Sequence, residues 1–305
     1  MKTERYPLTG IISTVISPFT EGEKLLDLEC LENEINAACD AGVAGFLVPC
    51  LASEMPLLTN EEKRKMVEVT AKAAAGRAKL ITSITADTGE ERIRRMNEYL
   101  EYGVDGVNMQ VPHETEEEFL RCIEEVDRAH PPFLLIQDAD FNGPGIPVEW
   151  MVKAFQSFES VVGCKVEVKY NGPKFTQLIK ATDNKMIVSS GWGNDQMLEL
   201  MDRGVHAIMP SGLFELFVNI YNLHVSGNRE GAKRLFFDTL PIIEFTRQSQ
   251  ELNRWFHKHY FKKVGIFKTD VSREQVVLDE YHIRYADELI QRAIEIRDNL
   301  AAYCR

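Results

Sequence analysis

The sequence predicts an α/β fold, a (β/α)8 TIM barrel with additional C-terminal helices. Short β-rich apolar runs alternate with longer amphipathic runs. Eight such apolar runs recur about every 30 residues, the length of one strand–helix unit. No glycine-rich turn follows the first run, as a doubly wound nucleotide-binding sheet would require.

The expected strands lie near residues 11–17, 45–50, 79–85, 106–111, 133–137, 161–168, 186–190 and 206–211. Residues 60–75 and 90–102 carry helical patterns. Asp27, Thr59, Thr88 and Thr115 each precede acidic residues and read as helix N-caps. Gly42 and Gly103 read as C-caps before the next strand. The barrel is expected over residues 1–227. Residues 228–305 form a helical extension packed on it, with one long final helix over 280–302.

The chain has 305 residues, 44% hydrophobic and 27% charged, enough to bury a large core. Its net charge of −12 argues against a nucleic-acid partner and against an anionic membrane surface. No apolar run approaches the roughly 18 residues of a membrane span. The first ten residues show no apolar leader. The six cysteines, Cys30, Cys39, Cys50, Cys122, Cys164 and Cys304, include no Cys-x-x-Cys pair. Several sit in apolar runs and read as buried thiols, and the expected setting is a reducing cytoplasm.

The sixth strand carries the chemistry. Side chains alternate along a strand, so Val162, Cys164, Val166 and Val168 face the outer helices. Val161, Gly163, Lys165, Glu167 and Lys169 face the barrel interior. A lysine there is costly unless paired or used. Desolvation in general lowers a lysine pKa and frees the amine as a nucleophile. The other reading is a structural ion pair with Glu167 or an aspartate, and from spacing alone both stand.

Several features carry no such signal. His257 and His259 are two apart and face different ways on a helix, a poor metal pair. Gly191-Trp192-Gly193 lacks the Gly-Lys-Ser/Thr of a phosphate loop and reads as a tight turn after strand seven. Trp192 reads as a pocket wall or as packing on a neighbouring loop. Trp255, Phe256, Tyr260 and Phe261 recur at helical spacing and read as core or subunit interface.

In order and spacing, these segments resemble the dihydrodipicolinate synthase / N-acetylneuraminate lyase family of Schiff-base-forming barrels. The likeness spans Gly10-Ile11-Ile12, Ser17-Pro18-Phe19, Gly42-Val43-Ala44-Gly45 through Glu54, and Leu58-Thr59-Asn60-Glu61-Glu62-Lys63. It continues through Val162-Gly163-Cys164-Lys165, Ser190-Gly191 and Gly204-Val205. The resemblance implies that Lys165 forms an imine with a 2-oxo acid, typically pyruvate. The iminium then serves as the electron sink for carbon–carbon bond formation or cleavage, or for dehydration. It implies a small-molecule substrate, no metal and no cofactor, and a homo-oligomer (dimer or tetramer). Ala52, Ser53, Gly191 and Ile208 fall at its substrate-binding positions.

The departures matter equally. The family's Gly-Thr-Thr-Gly-Glu is here Cys50-Leu51-Ala52-Ser53-Glu54, which loses two hydroxyls that would grip a carboxylate. Its catalytic tyrosine is here Gln137, which cannot relay a proton as a phenol can. A second tyrosine would fall near His113 or Glu114, and the synthases' carboxylate-binding arginine near Asn142. Ordinary dihydrodipicolinate synthase or sialic acid lyase activity is therefore not expected. His113, Asp138, Asp140 and Glu54 are the replacement acid–base candidates, each with a bland reading as a capping or solvated side chain. Asp138 is one position on from Gln137, so alternation turns it away. Glu54 reads as ordering the second strand–helix loop. The function expected is a lyase or aldolase working through Lys165. The alternative is a barrel that binds a small molecule without turnover.

Overall fold

Eight parallel strands, hydrogen-bonded in chain order, close into one barrel. They are β1 (Gly10–Thr14), β2 (Gly45–Leu47), β3 (Lys79–Ser83), β4 (Gly106–Gln110), β5 (Leu134–Asp140), β6 (Val161–Val168), β7 (Ile187–Ser190) and β8 (Ala207–Ile208). One main helix follows each strand: α1 (Leu28–Ala41), α2 (Asn60–Ala74), α3 (Gly89–Leu100), α4 (Glu116–Asp127), α5 (Val148–Ser157), α6 (Asn171–Ala181), α7 (Met197–Asp202) and α8 (Phe214–Val225). Three further helices complete the chain: α9 (Arg229–Thr246), α10 (Gln250–Lys263) and α11 (Glu280–Asp298). The structure, a computed structural model, describes residues 8–304. The first seven residues, part of the stretch without an apolar leader, lie outside the described residues.

The expected fold class is the observed one, and the edges are where expectation and structure differ. β2 ends at Leu47 rather than residue 50, because Pro49 has no N–H for a ladder. β1 ends at Thr14, ahead of Pro18, and β8 stops at Ile208, ahead of Pro210. The final helix ends at Asp298, and Leu300–Cys304 tightens into a 3-10 turn.

Local chemistry explains most helix starts. Asp27, Thr59, Thr88 and Thr115 each accept a hydrogen bond from the backbone N–H three residues on. Glu62 reciprocates at Thr59, forming a capping box. Gly42 caps α1 with φ 90°. Gly103, with φ 76°, lies further out than expected, since α3 already ends at Leu100 with Glu101 as its cap.

Contacts divide the chain into two compact units. The first contains Lys79–Met209 and the segment ending at Ile12; the second contains Ser13–Ala78 and Pro210 onward. In the first unit, Val162, Cys164 and Val166 are buried on one face of β6. On the other face one register row runs through Gln110, Gln137, Lys165, Ser189 and Ala207. A register shift sets this row. Leu134 pairs with Val161, but Leu135 pairs with Gly163, one residue further on. Without that bulge Gln137 would face Cys164.

In the second unit the C-terminal aromatics are core. Phe256 and Phe261 are fully buried, and Trp255 and Tyr260 nearly so. Phe261 packs on Phe214 and Phe267 at ring distances of 5.4 and 4.9 Å. Among the described residues no helix is long and apolar enough to cross a membrane. All six cysteines are free, and four of them are buried.

Candidate active site

Lys165 is only 3% exposed, yet carries a charge into the barrel row. Its Nζ lies 3.1 Å from Oε2 of Glu167. Glu167 is two residues on along β6, so alternation puts both on one face. Nε2 of Gln137 donates to the same oxygen at 2.8 Å. Two glycines make room. A Cβ at Gly191 would sit 2.1 Å from Glu167 Oε1, and one at Gly163 would sit 2.2 Å from the carbonyl oxygen of Ile187. Any side chain at Gly191 would displace the carboxylate. Ser189, the next member of the row, donates its hydroxyl to Cys164 O at 2.8 Å. An amine and a carboxylate this close and this dry can exchange a proton directly.

The other expected residues divide into those near this row and those elsewhere. Gly191 is at the row, against Glu167. Ile208 is fully buried and pairs with Ser190. That is one step past the Ser189–Ala207 pair, so its side chain lies on the opposite face from Lys165. Asp138 also faces away, as alternation suggested. It accepts hydrogen bonds from Lys174 and from the Ile146 N–H at 2.9 Å. Burial pushes its pKa up against the pull of Lys174. Asp138 therefore anchors the loop after β5 and is not brought to Lys165. Asp140 shapes the same loop, accepting from Gly143 and Gly145 N–H at 2.9 and 3.1 Å. Trp192 packs edge-on against Phe141, 5.9 Å between ring centres. His113 is half-buried beyond β4, with Nδ1 3.4 Å from Val111 O. It lines a cavity of about 520 Å³ with Thr85, Arg92 and Gln110.

In the second unit, Ala52 and Ser53 lie in a short 3-10 turn, Leu51–Ser53. Ala52 is half-buried. Ser53 donates its hydroxyl to Val15 O at 2.5 Å and accepts from Cys50 N–H at 3.1 Å. Its hydroxyl proton is thus held by the segment after β1. Glu54 accepts from Lys258 and from the N–H groups of Arg273 and Glu274, both at 2.9 Å. Lys258 also donates to Val271 O at 3.1 Å and lies 4.6 Å from the ring centre of Phe19. Burial pushes the pKa of Lys258 down. Glu54 orders its loop, the bland role open to it.

Strand alternation alone shows Glu167 inward with Lys165, but does not distinguish an ion-pair partner from a proton acceptor. Lys258 and Arg92 carry no signal in the sequence, because nothing local distinguishes a buried helical cation from a solvated one. His257 and His259 do face different ways. His257 is neutral, pushed by burial down to about 3. His259 bridges Asp270 and Asp287 at 2.7 and 2.9 Å.

The sequence pattern of the dihydrodipicolinate synthetase family matches residues 7–280. The chain belongs to this family. It is 31% identical to the 4-hydroxy-tetrahydrodipicolinate synthase of Aquifex aeolicus, over 60% of this chain and 62% of that one. It is 23% identical to the Methanopyrus kandleri enzyme of the same name, over 78% and 81%. The structure of the synthase from Methylacidiphilum fumariolicum SolV matches with a TM-score of 0.86 at 19% identity, covering 97% of this chain and 99% of that one. At that identity the likeness speaks for the fold.

Proposed function

We propose that this dihydrodipicolinate synthetase family member is a Schiff-base lyase acting on a 2-oxo acid. Lys165 is the imine-forming amine and Glu167 its proton-transfer partner. The carrying observation is the 3.1 Å approach of Lys165 Nζ to Glu167 Oε2 on the buried row. Members of the family are Schiff-base lyases, and that supports the reading.

The steps balance within this pair. Glu167 takes a proton from the Lys165 ammonium, and the neutral amine attacks the ketone carbon of the substrate. The added nitrogen passes a proton to the new alkoxide, and the carbinolamine then loses its hydroxyl as water, with Glu167 returning the proton it took. The resulting iminium withdraws electrons from the adjacent carbon–carbon or carbon–hydrogen bond, so cleavage, formation or dehydration can follow. Gln137 holds Glu167 in place and moves no proton itself. With the tyrosine and two threonine hydroxyls replaced, the substrate differs from that of the synthases named above. The imine is itself the electron sink, so the chemistry calls for no cofactor. Family precedent supports a homo-oligomer.

The same ion pair favours a second reading, a binding barrel in which Glu167 merely neutralises Lys165. Borohydride trapping separates the two. With pyruvate and a panel of 2-oxo acids, reduction should leave an adduct on Lys165 in peptide mass spectra, absent in Lys165→Ala. No adduct from folded protein would favour the binding-only barrel.

A further inference from the structure

Arg92 is a buried cation with little to hold it. It lies on α3, where an apolar residue would suit the core, and is 3% exposed. Its Nε has no hydrogen-bond partner among the described residues. Its carboxylate neighbour, Glu125 Oε2, is 4.0 Å from Nη1, and the other oxygen of Glu125 is held by Arg121 at 2.6 Å. A guanidinium taken from water without hydrogen bonds carries a large desolvation cost. Its rigid fork of donors fits a carboxylate or phosphate edge.

The space for such a group is present. Arg92 lines the cavity of about 520 Å³ with Thr85, Gln110 and His113. Asp87 and Glu114 also line it, and both are exposed to solvent, which screens them. The inner wall belongs to the barrel row. Gln110 pairs with Gln137, which pairs with Lys165. Thr85 is fixed there, accepting from Gln110 N–H at 3.0 Å. The cavity therefore adjoins the row that carries the proposed imine. β4 stands two strand spacings from β6, roughly 10 Å. Arg92 lines the cavity from α3, so only an acid longer than pyruvate could meet both residues.

We infer that Arg92 is a specificity residue that receives a second anionic group, carboxylate or phosphate, at the far end of the 2-oxo acid. Its place in the reaction rests on the Schiff-base reading. The departure at residues 50–54 fits this, since recognition of the substrate would draw on a different part of the chain.

The test compares pyruvate with 2-oxoglutarate and 2-oxoadipate in reductive trapping on wild type and Arg92→Met. The half-saturating concentration of the diacids should rise about 10- to 150-fold in the variant, the range spanned by one charge-assisted hydrogen bond. That of pyruvate should not change. Equal effects on all three acids, or none, would overturn the inference while leaving the imine chemistry intact. Should no acid trap at all, the Schiff-base reading fails and calorimetry decides Arg92 alone. Glutarate and inorganic phosphate cannot form imines and separate the two anion types. Binding of either to wild type but not Arg92→Met supports the site, and binding of neither overturns it. Should Arg92→Met not fold, Arg92→Lys keeps the charge but loses the fork, and should weaken the diacids selectively.

Discussion

Two lysine–glutamate pairs are buried in this chain, and they are built differently. Lys258 and Glu54 are both fully buried, and each has main-chain partners: Lys258 gives to Val271 O, while Glu54 takes from two backbone N–H groups. Lys165 and Glu167 are nearly as dry, yet their carboxylate is shared between the lysine and one neutral amide, Gln137. The first pair ties α10 and the 271–274 segment to the loop after β2, and losing either charge would leave the other stranded. The second lies along a single strand and ties nothing distant together. A buried charge with several fixed partners is a structural tie. A buried amine with one exchangeable partner is suited to chemistry.

The sharpest way to break this comparison is Glu167→Gln. It keeps the shape and removes the proton acceptor. The rate of imine formation should fall about 10²- to 10⁴-fold, with the half-saturating acid concentration little changed, as read by rapid-quench trapping. An unchanged rate would make Glu167 another tie. Next in size is Lys258→Ala, which should cost about 3–5 kcal/mol of stability in urea unfolding, because it removes the counter-charge of a fully buried Glu54 and cuts the tie to Val271 O. Lys165→Ala should cost less, since Glu167 is less deeply buried than Glu54 and Lys165 ties no distant segment. Equal losses would erase the distinction between the pairs.

The smallest effect concerns His259, on the same helix as Lys258. Its hydrogen bond to Asp270 raises its pKa against burial, and that partnership lowers the pKa of Asp270. A raised folded pKa means that the histidine's contribution is complete below its unfolded value of about 6.5. It is lost as pH rises through the folded value. The lowered carboxyl of Asp270 works the other way, losing its contribution as pH falls below about 3.9. Raising pH from 6 to 9 should therefore weaken the fold by about 0.2–1 kcal/mol through this cluster. His259→Gln should flatten that slope in thermal melts, and an unaltered slope would assign the pH dependence elsewhere.

Much of this molecule was legible in its sequence. The eight units, their caps at Asp27, Thr59, Thr88 and Thr115, and the inward face of β6 follow from short-range rules. Periodicity and capping act over a few residues, so a one-dimensional chain displays them. The candidate site was legible at Lys165 and through its family likeness, and the turned-away Asp138 followed from alternation. Other features required the tertiary structure. Gln137 meets Lys165 and not Cys164 because of a bulge between Leu134 and Leu135, and strand register is a property of two strands at once. Ser53 proved to be held by Val15 O, and Arg92 proved to be a buried cation at a cavity wall. Such facts depend on which distant backbone arrives beside a side chain. The sequence by itself determined the barrel and its inward lysine, because local pattern and the hydrophobic effect suffice for both. Only the tertiary structure decided which carboxylate that lysine faces and which buried cation lines a cavity.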